Sequence, residues 1–218
     1  MSEPEARSRP AGPLARSPIR PLEPLTVLDG WEVSGRRVTA ALTLTDCTPL
    51  TKIQLKAPVA GQVADDIGVP FGRARRTGAG VLVVGSGPGE WLLIGPPGEA
   101  AGVAAVLADL MARASDEYVS STDLTHGRAL VRLTGADAPD LLSGLCGIDL
   151  SELSTPDGAA FRSSVAAVAT DVIRDDVAGV RSYLLHCERS SGQYLFDALL
   201  SAGRDLRIEI DGFTTPGI

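Results

Sequence analysis

Asp123, His126 and Arg128 form the one polar cluster beside an expected strand end, and their types pose the first chemical question. An imidazole takes up a proton near neutral pH and a carboxylate can fix its tautomer, so His126 with Asp123 has the groups for general-base chemistry. The spacing works against it. Side chains three apart on a strand point to opposite faces, and no serine or cysteine nucleophile can be placed beside the pair. The sequence therefore favours Asp123 and Arg128 satisfying turn amides or pairing with one another, then contact with a partner, and catalysis last. Arg189 sits just before Ser190 at an expected strand-to-helix junction, where serine serves as a cap and the arginine is either solvated or in an intersubunit ion pair. Glu90 is a second isolated acid, next to Trp91, an expected core residue rather than an aromatic platform.

Gly85-Ser86-Gly87-Pro88-Gly89 follows an apolar run and superficially matches a dinucleotide-binding turn. Such a phosphate cradle needs a helix N-terminus directly after the glycines. Here a proline and then the strand-like Trp91-Leu92-Leu93-Ile94 follow, so a hairpin with a multi-residue loop is expected instead. Cys47, Cys146 and Cys187 are odd in number and contain no CxxC pair, which predicts no disulfide; Cys146, in a helix ending at Gly147, and Cys187, in a strand, are expected to be small buried hydrophobes. With only His126 and His186 besides, the spacing supports no tetrahedral metal site.

Bulk properties narrow the classes. The 218 residues suit one compact domain or two small lobes, and 44% hydrophobic content is enough for a core. A net charge of −7 argues against a nucleic-acid partner. No apolar run approaches the length of a membrane span, and the N-terminus lacks the apolar core of a signal peptide, so a cytoplasmic location is expected.

Residues 1–24 hold Pro4, Pro10, Pro13, Pro18, Pro21 and Pro24 among polar residues, which predicts a flexible or extended arm unable to pack a core. Residues 25–218 are expected to form a single globular domain. Strands are predicted over residues 38–44, 52–56, 81–84, 91–94, 118–124, 129–133, 166–173 and 180–187. Residues 61–80 read as a loop or edge segment. An amphipathic helix is predicted over residues 99–114 with Val103, Val106, Leu107, Leu110 and Met111 inward. A short helix follows Asp137, and another spans residues 190–203 with Tyr194, Leu195, Ala198 and Leu199 inward, capped by Ser190 or Ser191 and stopped by Gly203. Strand, strand, helix thus occurs twice, which predicts an α+β fold with pseudo-duplicated units.

Three segments also carry a resemblance. Residues 122–150 (TDLTHGRALVRLTGADAPDLLSGLCGIDL), 87–96 (GPGEWLLIGP) and 183–202 (YLLHCERSSGQYLFDALLSA) occur in the order found in the folate-binding, aminomethyltransferase-like superfamily. Within it the chain most resembles the gamma subunits of heterotetrameric sarcosine oxidase. The resemblance implies an aminomethyltransferase-like fold and a non-catalytic subunit packed against a large alpha chain, with beta and delta chains in the same complex. The whole assembly would oxidatively demethylate sarcosine with oxygen to glycine and hydrogen peroxide, passing the one-carbon unit to tetrahydrofolate. FAD, FMN, NAD, zinc and tetrahydrofolate would then sit on the other subunits, with no cofactor bound by this chain. Asp123, His126, Arg128 and Arg189 become candidates for the partner interface. The alternative is a stand-alone folate-binding or aminomethyltransferase-like protein, for which Asp123 and Glu90 are the nearest, weak, candidates for the acidic residue such transferases use. The chain is much shorter than those transferases and lacks a match to their C-terminal barrel region. The Lys-Gly-Cys signature of folate-binding iron–sulfur maintenance proteins is missing.

Overall fold

The computed structural model describes residues 13–114 and 116–214. In chain order the first elements are β1 (Ala15–Arg16), β2 (Leu25–Leu28), β3 (Trp31–Ser34), β4 (Leu42–Asp46), β5 (Thr51–Lys56), α1 (Gln62–Ile67), β6 (Ala74–Arg76), β7 (Leu82–Gly87) and β8 (Glu90–Gly95). After them come α2 (Ala100–Arg113), β9 (Ser120–Asp123), β10 (Arg128–Gly135), α3 (Ala138–Ser143), β11 (Ala160–Val165) and β12 (Val168–Arg174). The last are β13 (Ser182–Glu188), a 3-10 turn at Arg189–Ser191, α4 (Gly192–Ala202) and β14 (Glu209–Asp211).

These strands build a large sheet of order β11-β12-β13-β10-β4-β14, a second of order β6-β7-β8-β5-β9, and a small one of order β1-β3-β2. Alternation along each strand divides the side chains between layers. On β10, Ala129, Val131 and Leu133 meet α3 and α4, while Leu130 faces the second sheet. On β8, Trp91 and Leu93 meet α1 and α2, while Leu92 and Ile94 face the large sheet. Both sheets are therefore covered on two faces, which explains runs such as Trp91 to Ile94 with no polar residue. Trp31 and Val33 of β3 enter the core between the sheets. The two expected strand-strand-helix units are present: β7-β8 with α2 belongs to the second sheet, and β12-β13 with α4 to the large one. The α+β class holds.

Several boundaries differ from expectation, each for a physical reason. Residues 38–41 are not strand, and β4 begins at Leu42, where alternation of buried and half-buried residues starts. The expected loop at 61–80 contains helix α1, which buries only Val63, too little apolar surface for its period to stand out. The multi-residue loop at 85–90 is a two-residue turn at Pro88-Gly89 with a bulge between Gly85 and Gly87. Gly89 has φ 69° and its α-carbon lies against the Ala57 carbonyl, so no side chain fits. Helix α3 stops at Ser143 rather than Gly147, and Cys146 is buried just beyond it. Val106 and Tyr194, expected inward, are exposed, and Phe196 of α4 is buried. The hairpin β2-β3, closed by Asp29-Gly30 with both residues at positive φ, and edge strand β11 were not foreseen.

The proline-rich arm lies partly outside the described residues. From Pro13 onward it is extended but packed on its own domain, contrary to the expectation that it cannot join a core. Strand β1 pairs in parallel with β3, and Ile19 is 1% exposed in the core beneath α4. A single large apolar residue between Pro18 and Pro21 is enough to anchor the segment, because the prolines leave it little conformational freedom to lose.

The turn between β11 and β12 carries Ala166 and Ala167 at φ 49° and 66°. Two consecutive left-handed residues make a type I′ turn, which favours Asn-Gly, and each alanine there costs about 1 kcal/mol. Ala167→Gly should raise stability by roughly 0.5–1 kcal/mol, seen as a higher urea midpoint at unchanged m. A lower midpoint would mean that the turn is not strained.

Candidate functional site

The turn between β9 and β10 is built by backbone demands. The Asp123 carboxylate accepts the Thr125 amide at 2.8 Å, and the Thr125 hydroxyl oxygen accepts the Lys52 amide at 3.0 Å. Arg128 pairs with Glu188, its direct cross-strand neighbour, rather than with Asp123. The His126 imidazole is exposed and stacks on the Trp31 indole, with centroids 4.9 Å apart and planes 12° from parallel. Arg189 donates to the His126 carbonyl at 3.3 Å and to the Arg16 carbonyl at 2.6 Å, fastening the N-terminal segment to this turn. Asp123, His126, Arg128 and Arg189 thus share one end of the molecule, where His126 and Arg189 touch the strap formed by residues 13–31.

Glu90 lies elsewhere. Its carboxylate pairs with Lys56 at 2.7 Å across β5 and β8. Asp123 pairs in register with Ile53, three positions along β5 from Lys56, so the two candidate carboxylates are roughly 10 Å apart along the strand and on different neighbours. They do not converge on one reacting atom. Trp91 is core, its indole N–H donating to the Val69 carbonyl at 2.8 Å.

Three polar groupings were missed. The first surrounds Lys52, fully buried, whose ammonium donates to the Thr48 and Leu50 carbonyls, each at 2.7 Å. Burial pushes its pKa down to about 7, opposed by the Asp46 carboxylate, while burial drives Asp46 upward. Alternation with Ile53 and Leu55 places Lys52 on the other strand face, which a single exposed-face rule takes as solvent; that face is in fact buried at Lys52 and opens to solvent only toward Lys56. The second is His186, 4% exposed, with Nδ1 3.0 Å from Asp171 and Nε2 without a partner among the described residues. Burial lowers its pKa, opposed by the hydrogen bond to Asp171. Asp171 is also desolvated, yet hydrogen bonds from His186 and Arg162 hold it below the usual carboxylate range.

The third is a cluster of arginines at the end of the large sheet. Asp175 accepts from Arg76 at 2.6 and 3.0 Å and from Arg132 at 2.7 Å. Beside it Arg174 holds Asp176 by two bonds, at 3.1 and 2.8 Å, and reaches Glu152 at 2.7 Å. Arg76, Arg132 and Asp176 border a cavity of about 480 Å³ that Thr43, Thr45, Thr134, Cys47 and Asp211 also line. Its size suits a small organic ligand. Asp123 and Glu90 are not among its lining residues. Burial raises the Cys47 thiol to about 11, despite nearby Arg132, so it is a wall and not a nucleophile at neutral pH. Among the described residues, no three His, Cys, Asp or Glu side chains gather as a metal-ligand set, and no helix is long and apolar enough to cross a membrane.

Because the folded pKa of Lys52 lies below its ordinary 10.5, the unfolded chain binds the extra proton between about pH 7 and 10.5. Stability from this group therefore rises with pH through that window and is at its lowest below pH 7. Between pH 7 and 8.5 the urea midpoint of the native chain should climb relative to that of Lys52→Met, which has no such proton to bind. Parallel profiles would show that Lys52 titrates normally.

Comparison with known proteins places this geometry in context. A family model described as the sarcosine oxidase, gamma subunit family matches residues 72–204. An aminomethyltransferase of Saccharopolyspora erythraea is 29% identical over 183 residues, covering 77% of this chain and 48% of that protein. The chain thus spans about half the length of that curated relative. Among solved structures, heterotetrameric sarcosine oxidase from Corynebacterium sp. U-96, in complex with pyrrole 2-carboxylate, contains a chain that superposes with a TM-score of 0.65 at 22% identity, over 78% of this chain and 88% of that one. Aminomethyltransferase T of the glycine cleavage system from Bartonella henselae superposes with a TM-score of 0.62 at 17% identity, over 86% of this chain and 55% of that one. At such identities both show a shared fold, which is aminomethyltransferase-like. The matched region runs from the approach to β6 to just past the end of α4, taking in both hairpin-helix units and more than half of the sequence, so the chain belongs to the sarcosine oxidase gamma subunit family.

Proposed function

We propose that the chain is a non-catalytic gamma subunit of a heterotetrameric sarcosine oxidase, working in the cytoplasm and packed against an alpha subunit in company with beta and delta subunits. The family match over residues 72–204 carries this reading. The local chemistry supports it: Asp123 is spent on a turn amide and Glu90 on Lys56, and neither carboxylate lines the cavity of about 480 Å³ beside Arg132. The reaction would belong to the assembly. In it, sarcosine is oxidised by oxygen to glycine and hydrogen peroxide, and tetrahydrofolate receives the one-carbon unit. FAD, FMN, NAD, zinc and tetrahydrofolate would be held by the other subunits. The exposed turn bearing Asp123, His126 and Arg128, with Arg189 behind it, is the proposed contact with a partner, since His126 presents a ring already held flat against Trp31 and needs little further ordering.

A second reading, a folate-binding or aminomethyltransferase-like protein acting alone, draws on the cavity of about 480 Å³ beside Arg132 and on the aminomethyltransferase relative.

A tagged copy recovered from its native host separates the two. The expected eluate is yellow with flavin, contains larger chains by mass spectrometry, and produces peroxide when given sarcosine. A colourless protein recovered alone that binds tetrahydrofolate stoichiometrically would overturn the subunit reading in favour of the second.

A further inference from the structure

Arg132 of β10, Thr45 of β4 and Asp211 of β14 are direct partners across three adjacent strands, and all three line the cavity of about 480 Å³. Cross-strand partners share a sheet face, so a cation, a hydroxyl and a carboxylate stand in one row. Two strand spacings of about 4.8 Å separate the outer backbones by roughly 10 Å.

The state of each group gives the row its meaning. Arg132 and Arg76 share the single carboxylate of Asp175, which leaves one positive charge uncompensated at that wall. Neighbouring Asp176 does not supply the balance, because Arg174 grips both of its oxygens. Arg132 also donates to the Ser182 hydroxyl, and among the described residues its ion pair is with Asp175 and not with Asp211. At the other end, Asp211 Oδ1 accepts the Val38 and Gly212 amides at 3.2 and 3.0 Å, while Oδ2 has no hydrogen bond among the described residues. The two charges therefore do not neutralise each other, and the cavity lies between them.

We propose that this cavity binds an elongated zwitterion, a molecule with a carboxylate at one end and an ammonium at the other, such as an ω-amino acid or a short peptide. Its carboxylate meets Arg132 and Arg76, its chain passes Thr45, and its ammonium meets Asp211. An α-amino acid, with both charges on one carbon, cannot reach both ends. The inference does not depend on the subunit reading, since it concerns only residues of this chain.

Calorimetric titration of the full chain with ε-aminocaproate, caproate, hexylamine and glycine tests it. ε-Aminocaproate should bind saturably at one site, and each of the other three at least about tenfold more weakly, because each loses one charge-assisted contact. Asp211→Asn keeps an oxygen for the two backbone amides and Thr45→Val keeps the side-chain shape, so both should fold, checked by circular dichroism. Asp211→Asn should weaken ε-aminocaproate about tenfold or more and leave caproate unchanged; Thr45→Val should weaken it less. Absence of saturable ε-aminocaproate binding, equal binding of caproate, or binding untouched by Asp211→Asn would overturn the proposal.

Discussion

The passage from β4 to β5 is the constraint on which the architecture depends, because there the chain leaves one sheet and enters the other within residues 47–50. So short a crossing between buried layers leaves backbone carbonyls with no strand partner and no water. Lys52 resolves this by placing a buried ammonium against the Thr48 and Leu50 carbonyls. Thr48 ties the same corner to the large sheet by accepting the Leu130 amide, and Thr125 ties it to the turn before β10 by accepting the Lys52 amide. The amine is costly to bury, as its depressed pKa states, but the alternative is two unsatisfied carbonyls in the core. Without this corner the sheets could not lie face to face around Trp31, Leu92, Leu130 and Ile173.

Buried charge recurs where the large sheet ends, and it follows a common rule: each buried carboxylate there meets guanidinium groups bearing more than one hydrogen bond. Asp175 takes Arg76 from the second sheet and Arg132 from the first, so it joins the two sheets a second time, far along the sequence from Lys52. Removing Asp175 would leave two cations facing one another, whereas removing either arginine leaves a paired ion behind. For the subunit role proposed above, two such ties would serve as a mechanical provision.

What the sequence made legible was whatever repeats along the chain. Helix α2 and strands β7, β8, β12 and β13 stood out because Val103, Leu107 and Leu110 keep a helical period and Leu82 to Val84 or Tyr183 to Leu185 form unbroken apolar runs. Helix α1 escaped because Val63 alone gives no period. Asp29-Gly30 is a strong hairpin signal, yet it went unread because its flanks, Leu25 to Leu28 and Trp31 to Ser34, mix exposed and buried positions on a small outlying sheet. The candidate site was less legible still. The Trp31–His126 stack joins residues far apart in sequence, and Arg76 meets Asp175 only when two sheets are assembled. The burial of Lys52 leaves no sign in the sequence, because strand alternation tells one face from the other without revealing that the start of β5 is covered on both.

Strand β14 pairs in parallel with β4, joining the last strand of the described chain to the first strand of the large sheet. During synthesis, β4 emerges early and receives β10 later, but its other edge stays open until residues 209–211 leave the ribosome. An unpaired edge is a template for wrong pairing with other chains. The second sheet, complete once β9 has appeared, is free to form first and shelter the nascent large sheet on one face. Assembly of this domain is therefore ordered by its topology, with the three residues of β14 covering the open side of β4 last and leaving only a short edge behind.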